Sequence, residues 1–166
     1  MANNDAKSRL LEELELVQGV INRFGTNSFL IKGWTITLVV ATLLFNGNIY
    51  QYFIAFLPWL MFWYLDAYFL RLEKLYRKLF DWLRENRLRN NAFLFDMNSQ
   101  SLEKRFGKDV GCIPQIMFSK TLVIFYLLLL AIIVGSIIIE NYCWLIATLT
   151  NLNNFLLYNC LGAING

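Results

Sequence analysis

Three long apolar runs constrain the fold of this chain more than any other feature of its sequence. They cover residues 29–45 (FLIKGWTITLVVATLLF), 49–65 (IYQYFIAFLPWLMFWYL) and 116–139 (IMFSKTLVIFYLLLLAIIVGSIII). A helix needs about 20 mostly apolar residues to cross the hydrocarbon core of a bilayer, with a lower limit of about 17. The first two runs are separated by Asn46-Gly47-Asn48, a polar turn signal. We therefore predict an all-α membrane protein with a transmembrane hairpin over residues 29–65 and a third transmembrane helix over residues 116–139.

The composition agrees with this class and removes several kinds of active site. Apolar residues make up 57% of the 166 residues and charged residues 16%, whereas a soluble domain has about 25% charged residues. The chain has no histidine, and Cys112, Cys143 and Cys160 are too far apart for a local zinc motif. Without histidine there is no evident general base, so we expect neither an enzyme nor a bound metal or cofactor.

The C-terminal segment, residues 140–166, is harder to interpret. Its apolar pieces are interrupted by threonines and asparagines, including Thr148, Asn151 and Asn154. It is compatible with a fourth span, an interfacial helix on the outer face or a tail. The lack of a continuous apolar run of about 18 residues argues against an independent span.

The basic residues indicate the orientation of the chain. Four of the fifteen precede or begin the first span, eleven lie from Arg71 to Lys120, and the outer turn and the C-terminal segment have none. Positively charged segments stay on the cytoplasmic side of a membrane. We therefore predict a bacterial inner-membrane protein whose N-terminus and residues 66–115 are cytoplasmic.

Residues 1–28 are predicted to contain a cytoplasmic amphipathic helix. Its apolar stripe has spacings of four and three, and Gly25 is a plausible C-cap before the membrane. The stripe is formed by Leu10, Leu14, Val17, Ile21 and Phe24. Two partners fit it equally well, namely the chain's own cytoplasmic helix or a second copy.

The second span is predicted to continue into the cytoplasm as a basic helical stalk, because residues 66–89 keep a helical period and contain no Gly or Pro. Its basic side offers ligand or lipid contacts, for which the candidates are Arg77, Lys78, Arg84, Arg87 and Arg89. Anionic lipid headgroups are one possible partner. A nucleotide or oligonucleotide stacked on Tyr76, Phe80 and Trp82 is another, although these aromatic residues also lie on the apolar, packing side of the helix.

The rest of the segment, to residue 115, links the stalk to the third span. Asp96 and Asn98 are suitable caps for a short helix that runs through Lys104 or Arg105. This connection is either a regulatory contact or a plain linker.

Polar residues inside the apolar runs are the candidate site residues, because burying them in lipid is costly. The candidates for lining a pore are Thr35, Thr42, Asn46 and Gln51. Hydrogen bonding between helices is the alternative role for each of them. Lys32 and Asp66 lie at similar depth and are expected to form an ion pair, or else Asp66 contributes to an acidic ring at a channel mouth.

Two stretches carry a resemblance to a known group of proteins. VINRFGTNSFLIKGWTITLVVATLLF and FWYLDAYFLRLEKLYRKLFDWLR, within residues 17–90, resemble small multi-span membrane proteins of bacterial antiphage defence operons. They are similar in kind to nucleotidyltransferase-linked effectors such as the membrane subunit of the Hailong system. The resemblance implies an oligomeric channel, closed at rest and opened by a cytoplasmic nucleotide-type signal, with a soluble nucleotidyltransferase as a partner.

Three spans in one chain cannot enclose an aqueous path, so a pore requires a homo-oligomer. The apolar stripes of the N-terminal helix and the stalk are the assembly surfaces that the sequence offers. The alternative function is a non-conducting membrane anchor for a soluble cytoplasmic enzyme, attached through the basic stalk.

Overall fold

The computed structural model describes residues 2–44, 50–87 and 96–164, with side chains over residues 6–44, 52–87 and 96–152. The described chain is all helical. Its helices are α1 (Ala2–Leu44), α2 (Tyr50–Asn86), α3 (Ser99–Val110), α4 (Ile113–Met117) and α5 (Lys120–Ile164). α1 and α2 form a long antiparallel pair, and α3, α4 and α5 all pack against α2.

Three of the helices in the described part of the chain are long and apolar enough to cross a membrane. They are α1, α2 and α5, and their apolar windows have mean hydropathies of 1.4, 1.5 and 3.1. Only about a fifth of the residues in these windows are buried within the chain, at 17%, 22% and 22%. Most of their apolar surface therefore faces outward, which makes these three helices candidate membrane spans.

The N-terminal helix and the first span are one continuous helix, so the expected C-cap at Gly25 is wrong. α1 is 43 residues long and passes through Gly25 without a break. It packs along α2 on both sides of this position, through Ile21 and Phe24 before it and Ile31 after it. These contacts outweigh the cost of about 1 kcal/mol for a glycine inside a helix.

The third span begins later than the sequence indicated. Residues 116 and 117 belong to the short helix α4, which starts with Pro114 in its first turn. A turn at Phe118 and Ser119 follows, where the Ser119 N–H donates to the carbonyl of Ile116 over 2.9 Å. The third long apolar helix, α5, therefore starts at Lys120.

The C-terminal segment does not form a separate fourth span. α5 has 45 residues and remains helical from Lys120 to Ile164, so residues 140–164 continue in the direction of the third span. The polar residues in this segment change its composition without breaking the helix, because threonine hydroxyls bond back to the preceding turn. Thr148 and Thr150, for example, each donate to a backbone carbonyl four residues earlier.

The first half of α1, the second half of α2 and α3 form a helical bundle next to the spans, which we call the juxtamembrane bundle. Val17 of α1 is completely buried, and it packs in one cluster with Leu79 and Leu83 of α2 and Leu102 of α3. The N-terminal stripe thus packs on the chain's own stalk, which was one of the two interpretations left open by the sequence. Each fully buried side chain of this kind contributes about 1.5–3 kcal/mol.

The N-terminal cap of α3 was predicted correctly, although the helix continues past Lys104 and Arg105 and ends at Val110. The side chain of Asn98 accepts a hydrogen bond from the Gln100 N–H at 3.0 Å. Asp96 accepts from the Asn98 N–H at 3.1 Å and from the Ser101 hydroxyl at 2.6 Å. These bonds satisfy donors at the start of the helix and fix where α3 begins.

Candidate functional site

Polar side chains from α1, α2 and α5 meet where the juxtamembrane bundle joins the spans. Asp66 on α2 is completely buried at this point. Lys32 on α1 places its Nζ 2.6 Å from Asp66 Oδ2, and the Ser28 hydroxyl donates to the other carboxylate oxygen. The Tyr126 hydroxyl of α5 lies 3.4 Å from Asp66 Oδ2 and 3.0 Å from the carbonyl of Phe62. We call Ser28, Lys32, Asp66 and Tyr126 the junction cluster.

The junction cluster is an ion pair with its hydrogen bonds satisfied. Burying an unpaired carboxylate costs several kcal/mol, and here Lys32 and two hydroxyls compensate for the loss of water. Lys32 also donates to the Ser28 hydroxyl at 2.8 Å, and its side chain is 28% exposed. Of the two roles predicted for Asp66, the structure shows the ion pair with Lys32, and the Asp66 side chain has no exposure within the chain.

The sequence pointed to Lys32 and Asp66 but missed Ser28 and Tyr126. The four-residue spacing of Ser28 and Lys32 was an available signal, since it puts both on one helix face. Tyr126 had no signal, because it is one aromatic residue in an apolar run. Only the rotation of α5, which buries Tyr126 completely, brings it to the carboxylate.

Next to this cluster, two tryptophan side chains of α2 form hydrogen bonds to backbone carbonyls of α5 and α4. The indole N–H of Trp59 donates to the carbonyl of Tyr126 at 2.8 Å, and that of Trp63 donates to the carbonyl of Met117 at 3.1 Å. The rings of Trp63 and Tyr126 are stacked, with centroids 5.7 Å apart. A buried indole N–H needs an acceptor, so these bonds fix the position of α5 along α2.

The four residues predicted to line a pore differ in where the structure places them. Thr35 is completely buried and donates to the carbonyl of Ile31 at 2.7 Å, so the expectation that it faces water is wrong. Its helix face packs against the chain's own interior, which is a position for helix contact. Thr42 is partly buried and bonds back to the carbonyls of the preceding turn. Asn46 and the side chain of Gln51 lie outside the described residues.

Arg87 was expected to contact a ligand or lipid, and this expectation is also wrong. It is 5% exposed, and its guanidinium binds the carboxylate of Glu13, itself 3% exposed, through two hydrogen bonds. Because Glu13 lies on the buried side of α1, it draws Arg87 into the juxtamembrane bundle. Arg89 lies outside the described residues.

The other basic candidates remain on the surface. Arg77, Lys78 and Arg84 are exposed, although Arg77 pairs with Glu73 one turn earlier at 2.7 Å. Lys74, Arg77 and Lys78 line an open cleft of about 260 Å³ between α2 and the end of α3. We call this the basic cleft. Asp81 and Asp109 also line it, so the cleft is only partly positive.

The aromatic residues considered for base stacking pack inside the juxtamembrane bundle. Tyr76 is 6% exposed, and its hydroxyl donates to the carbonyl of Met97 at 2.7 Å. Burial raises the pKa of Tyr76 and favours the neutral phenol that makes this bond. Phe80 and Trp82 pack partly buried against the same core, and the Arg105 guanidinium covers the Trp82 ring at 4.1 Å. These rings are therefore not open stacking platforms.

Arg71, in the middle of α2, connects this helix to α3. Its guanidinium makes two hydrogen bonds to the Glu103 carboxylate, one of them 2.7 Å long, and a third to the carbonyl of Gly111 at 2.9 Å. The hydrogen bond to Glu103 raises the pKa of Arg71. This bidentate pair holds α3 against α2, directly beside the basic cleft.

Within the described residues, His, Cys, Asp and Glu side chains form no group of three that could hold a metal ion. The observed polar groups are thus an ion pair within the membrane junction, two ion pairs that hold the juxtamembrane bundle together, and an open basic cleft.

The fold places the chain in the class of small all-helical proteins with three long apolar helices. A comparison with protein-family models, curated proteins and solved structures gives no match.

Proposed function

We propose that this chain is the subunit of a homo-oligomeric membrane channel, an effector whose conduction is controlled through its juxtamembrane bundle. The observation that carries this proposal is the continuity of its helices. α1 and α2 each run without a break from the bundle into the apolar spans. A rigid helix transmits a displacement along its length, so a ligand that moves the bundle also moves the spans.

The packing of a single chain supports the need for several copies. At the level of the junction cluster, the space between the spans is filled by side chains such as Thr35, Asp66 and Tyr126, each with no exposure. Any aqueous path therefore lies between copies. The resemblance of residues 17–90 to membrane effectors of antiphage defence supports a growth-arresting role for such a path in the bacterial inner membrane.

The basic cleft is the proposed receiving site for the controlling signal. Lys74, Arg77 and Lys78 offer positive charge for the phosphates of a nucleotide or for a negatively charged partner such as a nucleotidyltransferase. The cleft lies between α2, which continues into the membrane, and α3. A ligand there contacts the helix that it has to move.

The test is a release assay on purified protein in liposomes. The liposomes are loaded with a fluorescent dye, and release of the dye reports an open path through the membrane. Nucleoside triphosphates and cyclic dinucleotides are added outside vesicles that carry the protein in both orientations. We expect dye release with one of these probes, and an altered release rate in Thr42→Val. A double variant, Lys74→Gln with Lys78→Gln, should lose the response but still insert into the membrane. If no probe causes release of the dye, and a nucleotidyltransferase added as a protein partner causes none either, the channel is contradicted.

A second candidate function, a membrane anchor for a soluble enzyme, is favoured by one specific observation. The exposed basic surface of the bundle is held rigidly by the Arg71–Glu103 and Glu13–Arg87 pairs. Such a surface docks a negatively charged protein without any conduction. Co-purification of a soluble partner with wild-type protein, its loss in the Lys74→Gln, Lys78→Gln variant, and tight vesicles would favour the anchor.

A further inference from the structure

A continuous apolar stripe runs along α5 on the side that the rest of the chain leaves uncovered. Its positions alternate steps of four and three from Ile124 to Leu152, which is the heptad spacing of helices that wind around each other. Its second half is formed by Ile138, Tyr142, Leu145, Leu149 and Leu152, all at least 48% exposed. We call this stripe the α5 seam.

The α5 seam faces away from the chain's own hairpin. α5 packs against the hairpin through Leu122, Tyr126, Leu129 and Ile133. The seam residue Leu128 is two positions after Tyr126, which is about 200° around the helix, and it is 61% exposed. One side of α5 therefore holds its own chain and the opposite side is available.

The seam is longer than a bilayer is thick. α5 has 45 residues and is about 67 Å long, whereas the hydrocarbon core is about 30 Å thick. Lys120 and Glu140, the two charged residues of α5, are about 30 Å apart along the helix. We infer from this match that the two charges lie at the two surfaces of the hydrocarbon core, which places the residues after Glu140 beyond it.

The described side chains do not cover this outer part. Among the residues of α5 whose side chains the structure describes, Ile137 is the last that packs against the hairpin core, and every residue from 138 to 152 is exposed. Lipid tails cover apolar residues within the hydrocarbon core but not beyond it. Leu145, Leu149 and Leu152 therefore require a protein partner.

We propose that the α5 seam is the surface on which copies of this chain meet, with their α5 helices parallel. A second copy provides an apolar helix of the same length, and it has the same orientation because it is inserted in the same way. Glu140 lies two positions from both Ile138 and Tyr142, on the outer side of such a pair. Parallel copies therefore do not bring their carboxylates together.

The part of the seam within the membrane also allows close contact. Ala131 and Gly135 occupy two consecutive seam positions, and a Cβ added at Gly135 meets nothing within 4 Å. Small residues allow two transmembrane helices to approach closely. The apolar stripe at Val17 and Ile21 packs on the stalk and is not available for assembly. The exposed apolar residues of α1 and α2, such as Phe29 and Phe53, lie within apolar windows of membrane length, where lipid tails cover them.

This inference deepens the proposed function by naming its assembly surface, and it holds whether or not the assembly conducts. Its test is disulfide cross-linking in native membranes. The background variant replaces Cys112, Cys143 and Cys160 by serine, and single cysteines are then introduced as Leu149→Cys on the seam or Ala147→Cys on the opposite side. Oxidation should give a covalent dimer with Leu149→Cys and several-fold less with Ala147→Cys, because a disulfide requires Cα atoms about 4.4–6.8 Å apart.

Equal cross-linking at both positions, or none at either, would overturn the seam. A Leu149→Asn variant provides a second measurement that does not depend on cysteine chemistry. It should lower the oligomer mass in mild detergent, whereas Ala147→Asn should not. If Leu149→Cys forms a covalent dimer but the liposomes release no dye, the channel is refuted and the seam is retained. If the liposomes release dye but Leu149→Cys forms no cross-link, the seam is refuted and the channel is retained.

Discussion

A fully buried carboxylate, that of Asp66, determines how the three spans meet. It lies between Lys32 and the Ser28 hydroxyl and draws α1 and α2 together, while the nearby Tyr126 hydroxyl brings in α5. The depth of the charges in the sequence was sufficient to predict the pairing of Lys32 with Asp66. The contribution of Tyr126 was not predictable, because it depends on which side of α5 faces the hairpin.

Loss of Lys32 should destabilise the protein. In Lys32→Met, Asp66 remains buried with only hydroxyl donors, and we expect a loss of about 3 kcal/mol of unfolding free energy. The double variant Lys32→Met, Asp66→Asn should recover part of this loss. Denaturant unfolding in detergent, followed by tryptophan fluorescence, measures both. The control is Lys120→Met at an exposed lysine, and an equal loss there would contradict the role of the pair.

The buried pair of Glu13 and Arg87 gives a matching prediction in the juxtamembrane bundle. Arg87→Gln leaves the Glu13 carboxylate buried without its cation, so we expect a loss of about 3–5 kcal/mol. Arg84→Gln, at an exposed arginine one turn earlier, should change stability by about 0.5 kcal/mol or less. The same unfolding assay compares the two. Equal stability of both variants would show that Arg87 is free at the surface.

At the scale of helices, continuity decides the architecture. The sequence predicted the hairpin, the extension of α2 and the cap of α3 because periodicity and capping residues are local signals. It misplaced the breaks at Gly25 and Ile116. A glycine is a C-cap only when the helix ends there, and the contacts of α1 with α2 are long-range information that the local sequence does not contain.

Gly25 and Gly111 test this interpretation as a matched pair. A Cβ at Gly25 meets nothing within 4 Å, so Gly25→Ala should stabilise α1 by about 0.5–1 kcal/mol. Gly111 ends α3 with a φ of 85°, so Gly111→Ala should be destabilising. Thermal unfolding by circular dichroism measures both changes. Destabilisation by Gly25→Ala would indicate that the helix ends at Gly25 after all.

The N-terminal cap of α3 should depend on pH. Hydrogen bonds from the Ser101 hydroxyl and the Asn98 N–H lower the pKa of Asp96 below its usual value. A lowered pKa means that the stabilising contribution is complete above the unfolded value of about 3.9 and is lost as the pH falls through the folded value. The amide protons in the first turn of α3 should therefore be more strongly protected from hydrogen exchange when the pH is above both pKa values of Asp96 than when it is below them. An Asp96→Asn variant should lack this pH dependence, and an unchanged dependence would assign it to another group.

At the scale of the whole molecule, the chain is a rigid bundle attached to three membrane-length helices. Its interior holds the three helices of one copy together, and an exposed apolar stripe runs along α5. Composition and run lengths were enough to predict an all-helical chain with three long apolar helices. The proposed assembly surface on α5 was not predictable, because the sequence offered the N-terminal stripe and the stalk for assembly and only the structure shows that these two cover each other.

The central claim is that this chain works as an assembly of identical copies. The most direct measurement is the mass of the purified protein in mild detergent, by light scattering or native mass spectrometry. We predict a whole-number multiple of the 19.5 kDa chain mass, greater than one, which persists on dilution and is reduced by Leu149→Asn but not by Ala147→Asn. A single 19.5 kDa species at all concentrations, for protein that inserts into membranes normally, would contradict the account.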